Sequence, residues 1–345
     1  MRNSELEVQS MGNANSATHY SSLVGGIYME SNRLKDLKIF SGSSNPELAK
    51  EIAENLGLHL GDVTISKFSN ENIKVKLNES VRGKDVFVVQ TSCPPLSDNI
   101  MELLIMLHAL KGASADRVTA VIPYFPYVRS DKKDEPRISI TAKLMADLLM
   151  TAGADRVLTM DLHAAQIQGF FDIPVDQLLA LPILCKYFEE KKLDNIVVVA
   201  GDVGRAKLNV KYAEKLKAPL AILEKRREDD KENAKVLTVI GDVEGKNAVM
   251  FDDEILTGGS LMELVRILKE NGAIEIYAGI THGILSKDAI PNIAKSDLKE
   301  LVITNTLPLP PNKSIDKIKV LSVGGLFAEA IRRIHEGEPV SCLFT

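Results

Sequence analysis

Short apolar runs alternate with amphipathic stretches from residue 37 onward. Leu37-Lys38-Ile39-Phe40 reads as a strand, and Glu47 to Leu56, with Leu48, Ile52 and Leu56 at helical spacing, as a helix ending at Gly57. Val63 to Phe68 is a second strand. The apolar part of Gly83 to Gln90, then Arg117 to Pro123, Arg156 to Met160, Asn195 to Ala200, Pro219 to Leu223, Ala248 to Phe251 and Ile274 to Ile280 follow as further strands. Ile196-Val197-Val198-Val199-Ala200 is apolar at every position, as expected of a parallel strand covered on both faces. Leu261, Leu264, Val265 and Leu268 mark a helix after Ser260. Strands alternating with helices predict an α/β chain with mostly parallel sheets and functional residues just after the strands.

The pattern occurs twice. Gly83-Lys84-Asp85-Val86-Phe87-Val88-Val89-Gln90 matches Gly245-Lys246-Asn247-Ala248-Val249-Met250-Phe251-Asp252, and the helix Met101-Glu102-Leu103-Leu104 matches Met262-Glu263-Leu264-Val265. Each helix leads to another apolar strand, so the chain reads as two copies of one sheet-and-helix unit.

With 345 residues, 45% apolar and 26% charged, the chain has the makeup of a globular protein and room for two units. A net charge of −5 argues against a general nucleic-acid binder, so basic residues that matter must act locally. Cys93, Cys185 and Cys342 lack metal-ligand spacing and suggest reduced thiols. No apolar run is long enough to span a membrane. Residues 1–33 lack the apolar core of a secretory signal and carry acidic residues, so a flexible extension is expected there, with Met29 an alternative start. A cytoplasmic protein follows from these features.

Candidate chemistry concentrates in Asp252-Asp253-Glu254-Ile255-Leu256-Thr257-Gly258-Gly259-Ser260. Gly258 and Gly259 allow a tight turn, and the unpaired N–H groups of the following helix face an anion. Thr257 and Ser260 add hydroxyls. Asp252 and Asp253 would repel a phosphate but suit the hydroxyls of an attached sugar, so a sugar phosphate satisfies both halves. The corresponding segment of the first copy, Thr91 to Asn99, has neither the paired aspartates nor the Gly-Gly turn.

Four other stretches end strands. Pro123 to Arg137 is aromatic and highly charged; Arg129 there suits a polyphosphate, though a charge run is also what a solvated loop looks like. Met160-Asp161-Leu162-His163 places Asp161 and His163 on one face by alternation, as metal ligands or as a satisfied structural histidine. Asp202, after Gly201, would complete a metal site or cap the next helix. Glu224 to Glu232 holds Lys225, Arg226 and Arg227 in a long polar loop that could close over a transferring phosphoryl group or simply be solvated.

Taken together, Phe40-Ser41-Gly42-Ser43, Phe68-Ser69-Asn70, Ser80-Val81-Arg82-Gly83, Asp131-Lys132-Lys133-Asp134, Met160 to Ala164, Gln166 to Phe171 and the Asp252-Asp253 loop resemble the ribose-phosphate diphosphokinase family over nearly all of residues 37 to 345. The resemblance implies two tandem phosphoribosyltransferase-type domains, at 34–179 and 180–337, with the tail 338–345 joining the first. It implies diphosphoryl transfer from MgATP to ribose 5-phosphate. ATP would be held by Phe68, Asn70, Glu71, Asn72, Arg129 and Ser130. Mg²⁺ would lie at His163 and Asp202, and catalysis would use Lys225 and Arg227. Ribose 5-phosphate would lie at Asp252, Asp253, Leu256, Thr257, Gly258, Gly259 and Ser260. Ser80, Arg82, Arg137 and Ser341 match positions tied to phosphate activation and ADP inhibition. A homo-oligomer is implied, a hexamer built from dimers, with ATP where subunits meet and no nucleic-acid or membrane partner. Asn72, Ser130, Leu256 and Pro339 depart from the family pattern. Two competing readings are a non-catalytic synthetase-associated subunit and a phosphoribosyltransferase.

Overall fold

A computed structural model describes residues 34–227 and 235–344. The expected N-terminal extension and the middle of the charged loop after Arg227 lie outside the described residues.

The first sheet takes β1 (Leu37–Ser41), β4 (Asp85–Val89), β5 (Arg117–Ile122), β6 (Arg156–Met160) and β7 (Val175–Leu178), in that spatial order and all parallel. β2 (Val63–Lys67) and β3 (Ile73–Leu77) form a separate antiparallel hairpin. The second sheet has seven strands in the order β10 (Lys235–Ile240), β9 (Leu220–Arg227), β8 (Ile196–Ala200), β11 (Asn247–Ile255), β12 (Ile276–Gly283), β13 (Leu298–Thr304) and β14 (Ile318–Leu321). Among the described residues of this sheet only the β9–β10 pairing is antiparallel.

Eight α-helices occur among the described residues: α1 (Pro46–Asn55), α2 (Leu96–Gly112), α3 (Thr141–Ala152), α4 (Leu181–Lys191), α5 (Ala206–Leu216), α6 (Gly259–Glu270), α7 (Ala289–Lys295) and α8 (Gly324–Glu336). The duplication therefore reaches further than the sequence match. The helices α1 to α4 follow β1, β4, β5 and β7 as α5 to α8 follow β8, β11, β12 and β14, and the hairpin β2–β3 corresponds to β9–β10.

Apolar side chains sort into three cores. One joins α2 and α3 to the outer face of the first sheet, through residues such as Met106, Leu107 and Met145. Another joins α6 and α7 to the outer face of the second, through Val265, Leu268 and Ile293. The third is shared: α1, α4, α5 and α8 contribute Leu48, Phe188, Tyr212 and Phe327 to one cluster that touches both sheets. Within it α8 packs on α1 and α4 on α5, so each copy sends its last helix to the first helix of the other. Helix α4 falls within the expected second unit, 180–337, and α8 at the end of that unit packs on α1 of the first. Arg117 reinforces this exchange by gripping Asp85 and donating to the Ile334 carbonyl at 3.0 Å, while His335 Nδ1 lies 2.7 Å from Asp85 Oδ2.

Candidate active site

The carboxyl end of the second sheet meets the loops of the first around a cleft of about 640 Å³. Asp252, Asp253, Leu256, Thr257, Gly258, Gly259 and Ser260 line it together with His163, Asp202 and Arg129. The cleft thus gathers every residue matched to the sugar phosphate, the pair matched to Mg²⁺ and the arginine matched to ATP.

Gly258 has φ +74°, a left-handed backbone that suits glycine, and it opens α6. The first intrahelical bond runs from the Met262 N–H to the Gly258 carbonyl at 2.9 Å, which leaves the amides of Gly259, Ser260 and Leu261 facing outward. These amides and the helix dipole make the seat for an anion.

The carboxylates differ from expectation. β11 does not end at Phe251 but continues to Ile255, because its parallel pairing with β12 persists through Asp252↔Ile280, Glu254↔His282 and Ile255↔Gly283. Asp252 and Asp253 are therefore strand residues with separate environments. The Asp252 side chain is 46% exposed and the Asp253 side chain 4%. Asp253 Oδ2 lies 2.7 Å from His163 Nδ1, and Asp253 Oδ1 accepts Arg205 Nη2 at 2.5 Å. A carboxylate only accepts, so His163 Nδ1 carries the proton. Burial opposes ionisation of Asp253, but His163 and Arg205 hold it far below the usual carboxylate range. The bond to Asp253 in turn raises His163. Burial and the adjacent Asp253 charge push Asp252 upward, with Arg205 Nε at 3.3 Å partly offsetting them. Only Asp252 remains open to a sugar hydroxyl.

Asp161 also departs from the alternation rule. Its φ of +35° takes it out of the strand, and its carboxylate accepts the Thr281 hydroxyl at 2.7 Å and the Ala180 N–H at 2.9 Å. Burial lifts it to about 6. It ties the two sheets together, while His163 alone turns to the cleft.

Asp202 accepts the Arg205 N–H at 2.8 Å, a capping contact, and keeps its other oxygen for the cleft. Among the described residues nothing hydrogen-bonds His163 Nε2, and a histidine that gives its other N–H to a carboxylate is the usual form of a metal ligand. Among the described residues no three His, Cys, Asp or Glu side chains converge on a metal position. An ion held here would take most of its shell from substrate oxygens and water, as Mg²⁺ does.

Other expected residues lie elsewhere. Phe68, Asn70, Glu71 and Asn72 form the tip of the β2–β3 hairpin rather than a loop at the end of a sheet strand, and they do not line the cleft. Phe68 is 55% exposed, and Lys67 anchors the hairpin to Asp98 of α2 at 2.5 Å. Ser130 sits in a turn, its N–H on the Tyr127 carbonyl and its own carbonyl accepting the Ala142 N–H. Lys225 and Arg227 were expected in a loop, but their backbone belongs to β9, paired with Leu237 and Lys235 of β10. The hairpin carries them past the last β8–β9 pair, Ala200↔Ile222. Ser80 and Arg82, Arg137, and Ser341 are exposed on three separate segments.

Arg205, Lys132, Tyr124 and Glu254 were not anticipated. Arg205 and Lys132 line the cleft, and the Tyr124 hydroxyl donates to Glu254 Oε2 at 2.8 Å. Arg205 closes the Gly201 to Arg205 run, but nothing local announces that it faces the distant carboxylates Asp252 and Asp253.

Comparison with known proteins identifies the family. A family model for the N-terminal domain of ribose phosphate pyrophosphokinase matches residues 37–153, and one for a phosphoribosyl synthetase-associated domain matches residues 230–345. The ribose-phosphate pyrophosphokinase of Caldanaerobacter subterraneus is 57% identical over 311 residues, covering 90% of this chain and 98% of the relative. That of Bacillus subtilis is 50% identical, with the same coverage. The crystal structure of phosphoribosylpyrophosphate synthetase from Mycobacterium smegmatis superposes with a TM-score of 0.83 at 43% identity, over 88% of this chain and 99% of that one. This chain belongs to the ribose-phosphate pyrophosphokinase (diphosphokinase) family.

Proposed function

We propose that the chain transfers the diphosphoryl group of MgATP to the C1 hydroxyl of ribose 5-phosphate, giving 5-phosphoribosyl 1-diphosphate and AMP. The observation that carries this reading is a single cleft containing an open helix N-terminus, a half-exposed carboxylate and a set of cations. The amides at Gly259 to Leu261 hold the 5-phosphate, and Asp252 accepts a ribose hydroxyl. Asp253 keeps His163 in the tautomer that leaves Nε2 toward the cleft. Arg129 binds nucleotide phosphates. Lys225 and Arg227, whose backbone lies on β9, stabilise the transferring charge. The C1 oxygen bonds to the β-phosphorus and releases its hydroxyl proton to solvent as the bond from that phosphorus to the α-bridging oxygen breaks, AMP leaving with that oxygen. Bound at His163 and Asp202, Mg²⁺ would neutralise charge on the phosphate oxygens.

The hairpin tip Phe68 to Asn72 lies outside its own chain's cleft, which favours an ATP site completed by a neighbouring copy in a homo-oligomer, a hexamer built from dimers. Ser80, Arg82, Arg137 and Ser341 are assigned to phosphate and ADP control. Among the described residues no helix is long and apolar enough to cross a membrane, and a cytoplasmic setting is part of the proposal.

The test is AMP formation from ATP that requires both ribose 5-phosphate and Mg²⁺. Lys225→Ala should lower turnover by about 10²-fold or more while nucleotide binding is largely kept. AMP release without ribose 5-phosphate, or an unchanged Lys225→Ala rate, would overturn the assignment.

A further inference from the structure

Glu254 stands in the cleft wall with a charge that the roles above leave unused. Its side chain is 5% exposed, and Oε2 accepts the Tyr124 hydroxyl at 2.8 Å. Oε1 is buried and accepts no hydrogen bond. Arg129 Nε stands 3.5 Å from it, close enough for an ion pair but long for a hydrogen bond. A buried carboxylate oxygen left in this state is unfavourable, and a small movement of Arg129 would complete it.

The two ends of this contact differ in freedom. Tyr124 is fixed: its N–H lies 3.2 Å from Thr91 Oγ1, and the Thr91 hydroxyl donates to the Thr306 carbonyl at 2.7 Å. Its ring packs 4.7 Å from that of His282, the register partner of Glu254 on β12. Arg129, five residues further along the same segment, has a side chain 64% exposed at the cleft. Tyr124 and Arg129 belong to the first copy, and Glu254 to the strand that runs into the Thr257-Gly258-Gly259-Ser260 turn of the second.

We propose that Glu254 is a positioning residue: its carboxylate takes up Arg129 Nε when a nucleoside triphosphate is bound and thereby couples the nucleotide to the sugar-phosphate turn. A guanidinium held through Nε presents its two terminal nitrogens as a fork for phosphate oxygens. Because the same carboxylate lies three residues before Thr257, fixing it also fixes the strand end that sets the turn. Each substrate then tightens the other by the same factor, as linkage requires. The inference rests on the proposed assignment of the cleft to ATP and ribose 5-phosphate.

Calorimetry on the full chain, with Mg²⁺, ribose 5-phosphate and a nonhydrolysable ATP analogue, tests it. In the unmodified protein each ligand should tighten the other by about five-fold or more. Glu254→Gln keeps an acceptor for Tyr124 but removes the charge. Ribose 5-phosphate alone should bind as before, the analogue about ten-fold more weakly, and the mutual tightening should vanish. The KM for ATP should rise, the KM for ribose 5-phosphate at saturating ATP should rise with it, and Glu254→Gln should add nothing once Arg129→Ala is present. Were Glu254→Gln to misfold, Arg129→Lys, which has no Nε–H, must lose the coupling instead. Coupling retained in either variant, or Glu254→Gln and Arg129→Ala losses that add, would overturn the role of Glu254. Absence of any ribose 5-phosphate heat in the unmodified protein would overturn the cleft assignment, and this inference with it.

Discussion

Three successive carboxylates, Asp252, Asp253 and Glu254, share one strand and hold three different states. Asp252 is half open to the cleft, Asp253 is ion-paired on both oxygens, and Glu254 is buried with one oxygen satisfied. The Asp253 cluster has a definite pH signature. Asp253 lies below its ordinary value of 3.8, so its contribution is complete above that value and lost as pH falls through the folded pKa. His163 lies above its ordinary 6.5, so its contribution is complete below that value and lost as pH rises through the folded pKa. Both are fully present between those two ordinary values. Asp253→Asn should therefore destabilise the protein most in that window, by about 3 kcal/mol, since it strands Arg205 and His163 beside a neutral amide. Urea unfolding across pH measures the loss. Imidazole titration by NMR should show His163 falling toward its ordinary value in the variant; an unmoved His163 would mean that Asp253 does not hold it.

The strand–turn–helix element β11 to α6 is where a backbone conformation, rather than a side chain, makes the site. Alanine at Gly258 would sit at φ +74° with ordinary contacts, its nearest neighbour being Ile255 Cδ1 at 3.7 Å, so the strain is backbone strain alone. Gly258→Ala should cost about 1 kcal/mol of stability yet weaken ribose 5-phosphate binding by about ten-fold or more, because the open amides turn away. Calorimetry beside thermal unfolding separates the two; equal, small losses in both would argue against an amide-built phosphate seat. This element was legible in the sequence because glycine spacing and helical phase are local signals. Its strand end was not, since a strand buried on both faces gives no alternation to mark where it stops, and pairing with β12 decided it. Lys225 and Arg227 were misplaced into a loop for a related reason: a charged run reads as solvated until the opposite strand, Lys235–Ile240, is seen to pair with it. Arg205 and Glu254 became functional only through partners from distant segments.

At the scale of the whole molecule, two copies of one unit have become a single body through the exchange of α4 and α8. Helix α8 buries Phe327, Ile331 and Ile334 in the shared core, and full burial of such side chains contributes about 1.5–3 kcal/mol each. That is comparable to the entire 5–15 kcal/mol by which a domain is stable. Asp85 adds to it. Burial works against its charge, but His335 and Arg117 hold it below its ordinary value, so this contribution is lost only as pH falls toward the folded pKa. A fragment spanning 34–191 would keep the first sheet but expose Leu48, Ile52 and their neighbours where α8 had covered them, and should be insoluble or molten. The full chain should then melt in one calorimetric transition whose enthalpy matches the van't Hoff value, despite its duplicated plan. Two resolved transitions, or a fragment 34–191 with a sharp melt of its own, would mean that each copy is stable without the borrowed helix. A single transition is also what a cleft built between the copies requires, since His163 and Arg129 come from one and Asp253 and Gly258 from the other.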